Sequence, residues 1–239
     1  MIDTESVELI EIVTHLIEEF EELERDFVAG EEMSFSIMEQ KIPRMLSYLE
    51  TFTSIEHPNE QEQLMRVMLP DAARLVIYRT LCAQKRLELY RQAYNDASCF
   101  GFQDAKAIYC RDVGNSIQDL GQLEKAIEWL QHAEQLYHSE ELQEEIGLLK
   151  SDIASCMRKL GRIREAEVVS RESIEQLKKV KDEPCLASQF NNHGIILFEL
   201  GKISEAEASY QQALLIQEEL GLDKEAGATL RREVKIGLK

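Results

Sequence analysis

Residues 113–137 read VGNSIQDLGQLEKAIEWLQHAEQLY, and the pattern of this stretch returns twice further along the chain, each time after forty residues. Its Leu-Gly pair comes back as Leu160-Gly161 and again as Leu200-Gly201. A fixed period of this length is the sequence signature of a repeat protein, in which each unit packs only on its neighbours. The chain is therefore predicted to contain at least three stacked units.

Each unit is predicted to be a pair of helices. The glycine closes the first helix, because glycine adopts the left-handed conformation of a helix C-terminus at little cost. Small side chains are expected where the two helices of a unit cross, since they let the helix axes approach closely. The candidates are Gly114, Ala154 and Gly194 on the first helices and Ala126, Ala166 and Ala206 on the second helices.

These positions resemble the tetratricopeptide repeat, down to Ala133 and Ala213 late in the second helix, where the middle unit has Ser173. The usual unit has ~34 residues, so the forty-residue period is similar to the long repeats of kinesin light chain, of Pins-type spindle scaffolds and of bacterial signalling proteins. The resemblance implies an all-α solenoid, a right-handed superhelix of antiparallel helix pairs. It also implies that partner proteins bind in the concave groove.

The predicted organisation has three parts. Residues 67–224 form the repeat array, followed by a capping helix at 225–239. Within the array we predict a degenerate unit, whose first helix begins at Pro70, and three regular units. The four units span 67–106, 107–146, 147–186 and 187–224.

Residues 1–66 do not match the repeat and are predicted to be an N-terminal helical region. The apolar spacing indicates a long helix over 4–28. A second helical stretch over 34–54 should break or kink at Pro43, and a third begins near residue 60. The region either packs on the first repeat or forms a dimer through its helices, and the sequence does not choose between these alternatives.

Charge and cysteine content narrow the class of protein. The net charge of −18 repels nucleic acid and anionic membranes. Five cysteines without a CxxC pair are read as mostly buried thiols in a reducing cytoplasm. No apolar run approaches the ~18 residues of a membrane span. The chain is therefore predicted to be cytoplasmic, with no nucleic-acid or membrane partner.

Motifs for catalysis, metals and cofactors were sought and not found in the sequence. There is no HExxH, GxGxxG, GxxxxGK[ST] or GxSxG motif. His193 falls on a core-facing position and is expected to be a buried, hydrogen-bonded histidine. The aromatic Trp129 and the tyrosines are expected in the core. We predict no enzyme activity, no cofactor and no metal.

The resemblance places the first helix of each unit on the concave groove, which defines the candidate binding residues. They are Arg111, Asn115, Gln118, Ser155, Arg158, Asn191, Asn192, Ile195 and Phe198. Arg231, Arg232 and Lys235 would extend the set. In an acidic chain these positions are enriched in arginine and asparagine beside an exposed Ile–Phe pair, so the partner is expected to offer an acidic or carboxylate-bearing segment.

Arg111 and Asn115 also match two positions that clamp a terminal carboxylate in chaperone-binding members of the family. Asp152 stands where that clamp needs asparagine, so a chaperone-tail receptor is not predicted. The predicted function is a scaffold or adaptor that binds a peptide or helix of another protein. The alternative is a peptide-sensing regulatory protein of the pheromone-receptor type, with the N-terminal helices as its output.

Overall fold

The computed structural model describes residues 4–28, 32–56, 58–74, 77, 81–137, 143–181, 183–222 and 229. Within these ranges the chain is helical and contains no strand, which confirms the all-α prediction. The helices are α1 (Thr4–Val28), α2 (Glu32–Thr53), α3 (Glu60–Ala72), α4 (Ala83–Phe100), α5 (Gln103–Asp119), α6 (Leu123–Leu136), α7 (Gln143–Lys159), α8 (Ile163–Val180), α9 (Glu183–Glu199) and α10 (Ile203–Glu219). The predicted capping helix, with Arg231, Arg232 and Lys235, lies outside the described residues except for Thr229.

The chain divides into two compact units, residues 1–116 and 117–239. The first unit contains α1 to α4 and most of α5, and the second contains the rest. The repeat boundaries that the sequence suggests remain predictions.

Of the break or kink predicted at Pro43 the break is wrong and the kink stays a prediction, and the prediction that a helix begins at Pro70 is wrong. Helix α2 continues through Pro43 instead of breaking there. Met38, Ile42, Met45 and Leu49, on both sides of the proline, are all buried, and this burial offsets the ~3 kcal/mol cost of an interior proline. Pro43 itself is exposed, so water can solvate the carbonyl group that loses its backbone donor.

Pro70 likewise lies inside the last turn of α3 and does not begin a helix. The start of α3 is fixed instead by Asn59, whose side chain accepts hydrogen bonds from the backbone N–H groups of Gln61 and Glu62. The Glu62 carboxylate accepts the backbone N–H of Asn59 in return, at 2.9 Å. This reciprocal capping box is a stronger start signal than a proline ten residues later.

The glycines close the repeat helices as predicted. Gly121, Gly161 and Gly201 have φ angles of 76°, 78° and 76°, in the left-handed region. In each case the following residue donates its N–H to a carbonyl five positions earlier, as Lys202 does to Leu197 at 2.9 Å. This hydrogen bond satisfies a carbonyl that the helix end would otherwise leave without a donor.

In the second compact unit, helices α9 and α10 approach each other more closely than the sequence pattern required. A Cβ atom on Gly194 of α9 would lie 2.7 Å from a ring carbon of Tyr210 on α10. Real Cβ contacts are essentially never that short, so only glycine fits. The nearest atoms belong to Tyr210 and not to Ala206, which is buried beside it in the same cluster. The small residue on the first helix therefore accommodates an aromatic ring one turn beyond the expected alanine.

Serine at position 173 fits the repeat by making a hydrogen bond of its own. Its side chain is fully buried, and its hydroxyl donates to the backbone carbonyl of Gly147 at 2.6 Å. The two alanines at the equivalent position, Ala133 and Ala213, are also fully buried.

All five cysteines are thiols, but the expectation that most are packed is only partly right. Cys110 and Cys156 are buried, Cys185 is half-buried, and Cys82 and Cys99 are exposed. The expectation that Trp129 is a core residue is also wrong, because its side chain is half-buried. Among the described helices none is long and apolar enough to cross a membrane.

Candidate functional site

The predicted binding residues lie on α5, α7 and α9, and most of them are half-buried. Asn192 is the exposed member, while the others are partly covered by neighbouring side chains. Arg111 and Asn115 belong to the first compact unit, and Gln118 together with the residues of α7 and α9 belongs to the second.

Four predicted residues come together in one cavity between α7 and α9. They are Ser155, Arg158, Asn192 and Ile195, joined by Ser151, Ala154, Gln189 and Ile196. The cavity measures about 30 Å³, which is room for a water molecule or a single polar group. Small-molecule sites usually occupy ~300–1,000 Å³, so this geometry suits one group of a larger partner and not an enclosed ligand.

The charge of Arg158 is already neutralised. Its Nη1 atom lies 2.8 Å from Oε1 of Glu199, and both side chains are about one-third exposed. Glu199 is the last residue of α9, so the ion pair bridges two successive first helices. The sequence prediction counted Arg158 as a cation without this neighbour, because Glu199 was not among the groove positions, and its role in binding stays a prediction.

Two other predicted residues also make hydrogen bonds with side chains nearly one period away in the sequence. The Cys156 thiol donates to the Gln118 side-chain oxygen at 2.8 Å. The Asn191 amide donates to the Thr229 hydroxyl at 3.3 Å. In both pairs the partners are 38 residues apart, two fewer than the sequence period, which reflects the stagger between neighbouring units. These side chains hold adjacent units together as well as lining the face.

The apolar part of the candidate site is less exposed than predicted. Ile195 and Phe198 are half-buried and pack against a buried cluster of Leu197, Ala206 and Tyr210. The pair thus offers a firm apolar patch whose inner side is anchored in the core. Such preorganised side chains lose little conformational entropy when a partner covers them.

A residue that sequence reasoning missed, Gln189, connects the cavity to the core. Its Nε2 donates to the Ser170 hydroxyl at 2.9 Å and to the Ser170 carbonyl at 3.3 Å. On its other side it accepts a hydrogen bond from the Ser151 hydroxyl. The signal that could have found it is its position, five residues before Gly194, where a glutamine on the buried side of a helix needs polar partners.

The chain of hydrogen bonds ends at His193, which is buried as predicted. Its Nδ1 lies 3.0 Å from the Ser170 hydroxyl oxygen. Burial lowers the pKa of His193, while the nearby Glu167 carboxylate acts in the opposite direction. The histidine is therefore neutral near pH 7, and its Nδ1 forms a hydrogen bond with the Ser170 hydroxyl.

Because of His193, we expect the folded protein to lose stability in acid. The unfolded chain binds a proton at the ordinary pKa of 6.5, whereas the folded state binds it only at lower pH, so the free energy of unfolding should fall as the pH drops from about 7 to about 5. His193→Asn, which retains an acceptor near Ser170, should show a smaller fall. Urea unfolding at the two pH values measures both, and equal losses would contradict the assignment. The charged groups near the ring are the same in wild type and in the variant: Glu167, Glu205, Arg171 and Lys202.

Metal ligands and reactive thiols were both considered among the predicted absences, and the described residues bear on each. No cluster of three His, Cys, Asp or Glu side chains there could hold a metal ion. Burial raises the pKa of Cys110 and of Cys156 to about 12. Both are therefore protonated thiols at neutral pH and weak nucleophiles.

The glycine closures and the helix pairs that they join are those of the tetratricopeptide-repeat fold. Residues 190–231 match the sequence profile of the tetratricopeptide repeat. No curated protein sequence matches the chain at a significant level.

Several solved structures share the fold. BtubC (BKLC) from P. vanneervenii is similar with a TM-score of 0.62 and 17% identity, covering 84% of this chain and 91% of its own. Apo RapI gives a TM-score of 0.66 at 16% identity, covering 94% and 70%. Bacillus thuringiensis PlcR, in complex with the peptide PapR7 and DNA, gives 0.58 at 14% identity, covering 81% and 69%. At such identities the similarity establishes the fold alone.

Proposed function

We propose that this protein is a scaffold or adaptor that binds a peptide segment or helix of a partner protein on the face formed by α7 and α9. The observation that carries the proposal is the convergence of Ser155, Arg158, Asn192 and Ile195 around one cavity. Phe198, next to it on α9, adds a half-buried apolar anchor. Arg111, Asn115, Gln118 and Asn191 are proposed as further contacts.

Small polar cavities beside an apolar patch suit an extended protein segment. The apolar side chains supply most of the binding free energy, since burying a large one contributes about 1.5–3 kcal/mol. The hydroxyl and amide groups fix the register of the bound segment. A non-catalytic role in the cytoplasm is part of the proposal, and the five thiols support a reducing compartment.

The test uses a random-peptide display library selected on the full chain. Phe198→Ala should weaken binding of the selected peptide about tenfold, and Arg158→Ala should weaken it less, because a screened surface charge contributes little. Leu215→Ala is the matched control, since Leu215 is an exposed apolar side chain on α10 that does not line the cavity. Surface plasmon resonance gives the dissociation constants. If Leu215→Ala weakens binding as much as Phe198→Ala, the partner binds elsewhere.

A peptide-sensing regulatory protein is the second candidate. This candidate is supported by the fold similarity to PlcR, whose structure was solved with the peptide PapR7 and DNA. The two candidates differ in what peptide binding does to the N-terminal helices. In a sensor, the selected peptide should change hydrogen exchange in α1 to α3, while in an adaptor the change stays within α7 and α9. A dimer through the N-terminal helices also remains a proposal, which the molar mass in solution tests.

A further inference from the structure

We infer that Glu199 is a specificity-determining residue that masks Arg158, so that the cavity between α7 and α9 accepts a hydrogen-bond donor from a partner segment without a carboxylate at this position. The inference rests on the proposed function and names the chemistry of the partner. It reverses the expectation, drawn from the sequence, of an acidic segment.

The charge of the site disfavours an acidic partner segment. Arg158 lines the cavity, and its guanidinium group is held 2.8 Å from the Glu199 carboxylate. Both residues sit on packed helices, so the internal carboxylate is always present at high effective concentration. An incoming carboxylate would have to displace Glu199 and then remain beside its charge. The net charge of −18 adds a general repulsion of acidic segments.

The hydrogen bonds at Ser151 run in one direction. Gln189 Nε2 lies within 3.3 Å of the Ser170 backbone carbonyl. A carbonyl only accepts, so the amide nitrogen must face Ser170 and the amide oxygen must face Ser151. The Ser151 hydroxyl therefore donates its only proton to Gln189. What it presents to the cavity is its remaining lone pair, an acceptor.

These two features together select the partner group. The acceptor at Ser151 favours an N–H donor, and the Glu199 carboxylate beside Arg158 disfavours a second carboxylate at that point. A cavity of about 30 Å³ has room for one such group. The occupant is thus an extended segment of a partner protein that inserts one N–H donor, from its backbone, an amide side chain or a lysine, and has no Asp or Glu opposite Arg158.

Selection of one random-peptide library on three versions of the full chain tests this. The versions are wild type, Glu199→Gln and the control Glu205→Gln. Glu205 is an exposed glutamate on α10 that lies near Lys202, so the control removes the same charge elsewhere. Wild type and Glu205→Gln should select peptides poor in Asp and Glu. Glu199→Gln unmasks Arg158 and should select acidic peptides.

The effect is then measured on matched peptides. A peptide selected on Glu199→Gln should bind that variant about tenfold more tightly than its Asp→Asn counterpart, and wild type should not show this preference. Acidic peptides selected by wild type, or identical selections by wild type and Glu199→Gln, would overturn the inference and leave the proposed function standing. Failure of every version to select any peptide would overturn the proposed function and the inference with it.

The donor is tested separately. In the wild-type peptide, blocking one N–H group, by N-methylation or by replacing a lysine or amide side chain, should weaken binding about tenfold. The same change should have little effect on binding to the Ser151→Ala variant. That variant lacks the acceptor, so neither the original nor the blocked peptide can make the hydrogen bond. Equal losses in wild type and Ser151→Ala would show that the donor binds elsewhere.

Discussion

Replacing Asp96 by alanine is expected to lower the free energy of unfolding by about 3–5 kcal/mol, the usual cost of leaving one charge of a buried ion pair without its partner. Asp96 on α4 is buried against Arg66 on α3, with Nη2 of Arg66 2.5 Å from Oδ1 and Nε 3.2 Å from Oδ2. Gln92 donates to the same carboxylate, and the guanidinium lies 5.1 Å from the ring centre of Phe100. Chemical denaturation gives the loss, and hydrogen exchange should place it in α3 and α4.

A paired substitution separates the charge from the packing. Arg66→Met with Asp96→Leu removes both charges and keeps apolar volume, so it should cost far less than Asp96→Ala alone. Glu165→Ala, which breaks an exposed ion pair with Arg162, should leave the midpoint nearly unchanged. If the double variant is as unstable as Asp96→Ala, the loss comes from packing and the ion-pair account is wrong.

Gly194→Leu is expected to lower the free energy of unfolding by about 3 kcal/mol. A Cβ atom alone would lie 2.7 Å from the buried Tyr210 ring, and leucine adds three more heavy atoms at the same point. Overpacking of this kind forces side chains off their rotamers or moves the helices apart. Because a solenoid unit contacts only its neighbours, loosened amides should centre on α9 and α10 while α1 to α3 stay protected.

The matched control is Asn192→Leu, which introduces the same side chain two residues away at an exposed position of α9. Thermal unfolding should show a large drop for Gly194→Leu and little change for the control. Tyr210→Ala in the Gly194→Leu background should restore part of the loss, since it removes the ring that collides. Strictly additive losses for the two substitutions would show that the close approach of Gly194 to Tyr210 is not the cause.

Specificity in this fold comes from how units meet, and the proposed site illustrates why. The fold itself hosts many unrelated functions. Here one ion pair between α7 and α9 decides the charge that a partner segment encounters. One glutamine decides whether a cavity hydroxyl donates or accepts. Partner preference could therefore change without altering the repeat framework.

The repeat was predictable from the sequence because its causes are local. A glycine closes a helix within a few residues, and Gly121, Gly161 and Gly201 each do so with the expected left-handed backbone. The apolar spacing that buries Ala126, Ala166 and Ala206 is likewise a local pattern, contained within each repeat. These features recur every forty residues, so a single chain displays them three times over, and the all-α solenoid follows.

The sequence misjudged the prolines because their cost competes with packing that a local rule does not include. Pro43 signals a break, yet the buried stripe of α2 runs through it. Helices α3 and α4 also hold the Arg66–Asp96 pair, whose partners are 30 residues apart. No spacing rule in the sequence links those two residues.

By itself the sequence determined the helix class, the repeat period, the closing glycines and the face on which α7 and α9 carry the candidate residues. The tertiary structure alone decided that Arg158 meets Glu199 and that Gln189 orients Ser151. It also decided that Ile195 and Phe198 are half-buried. The reason is geometric: a helix and its cap depend on neighbours in the chain, whereas contacts between units depend on the stagger and rotation of one helix pair against the next.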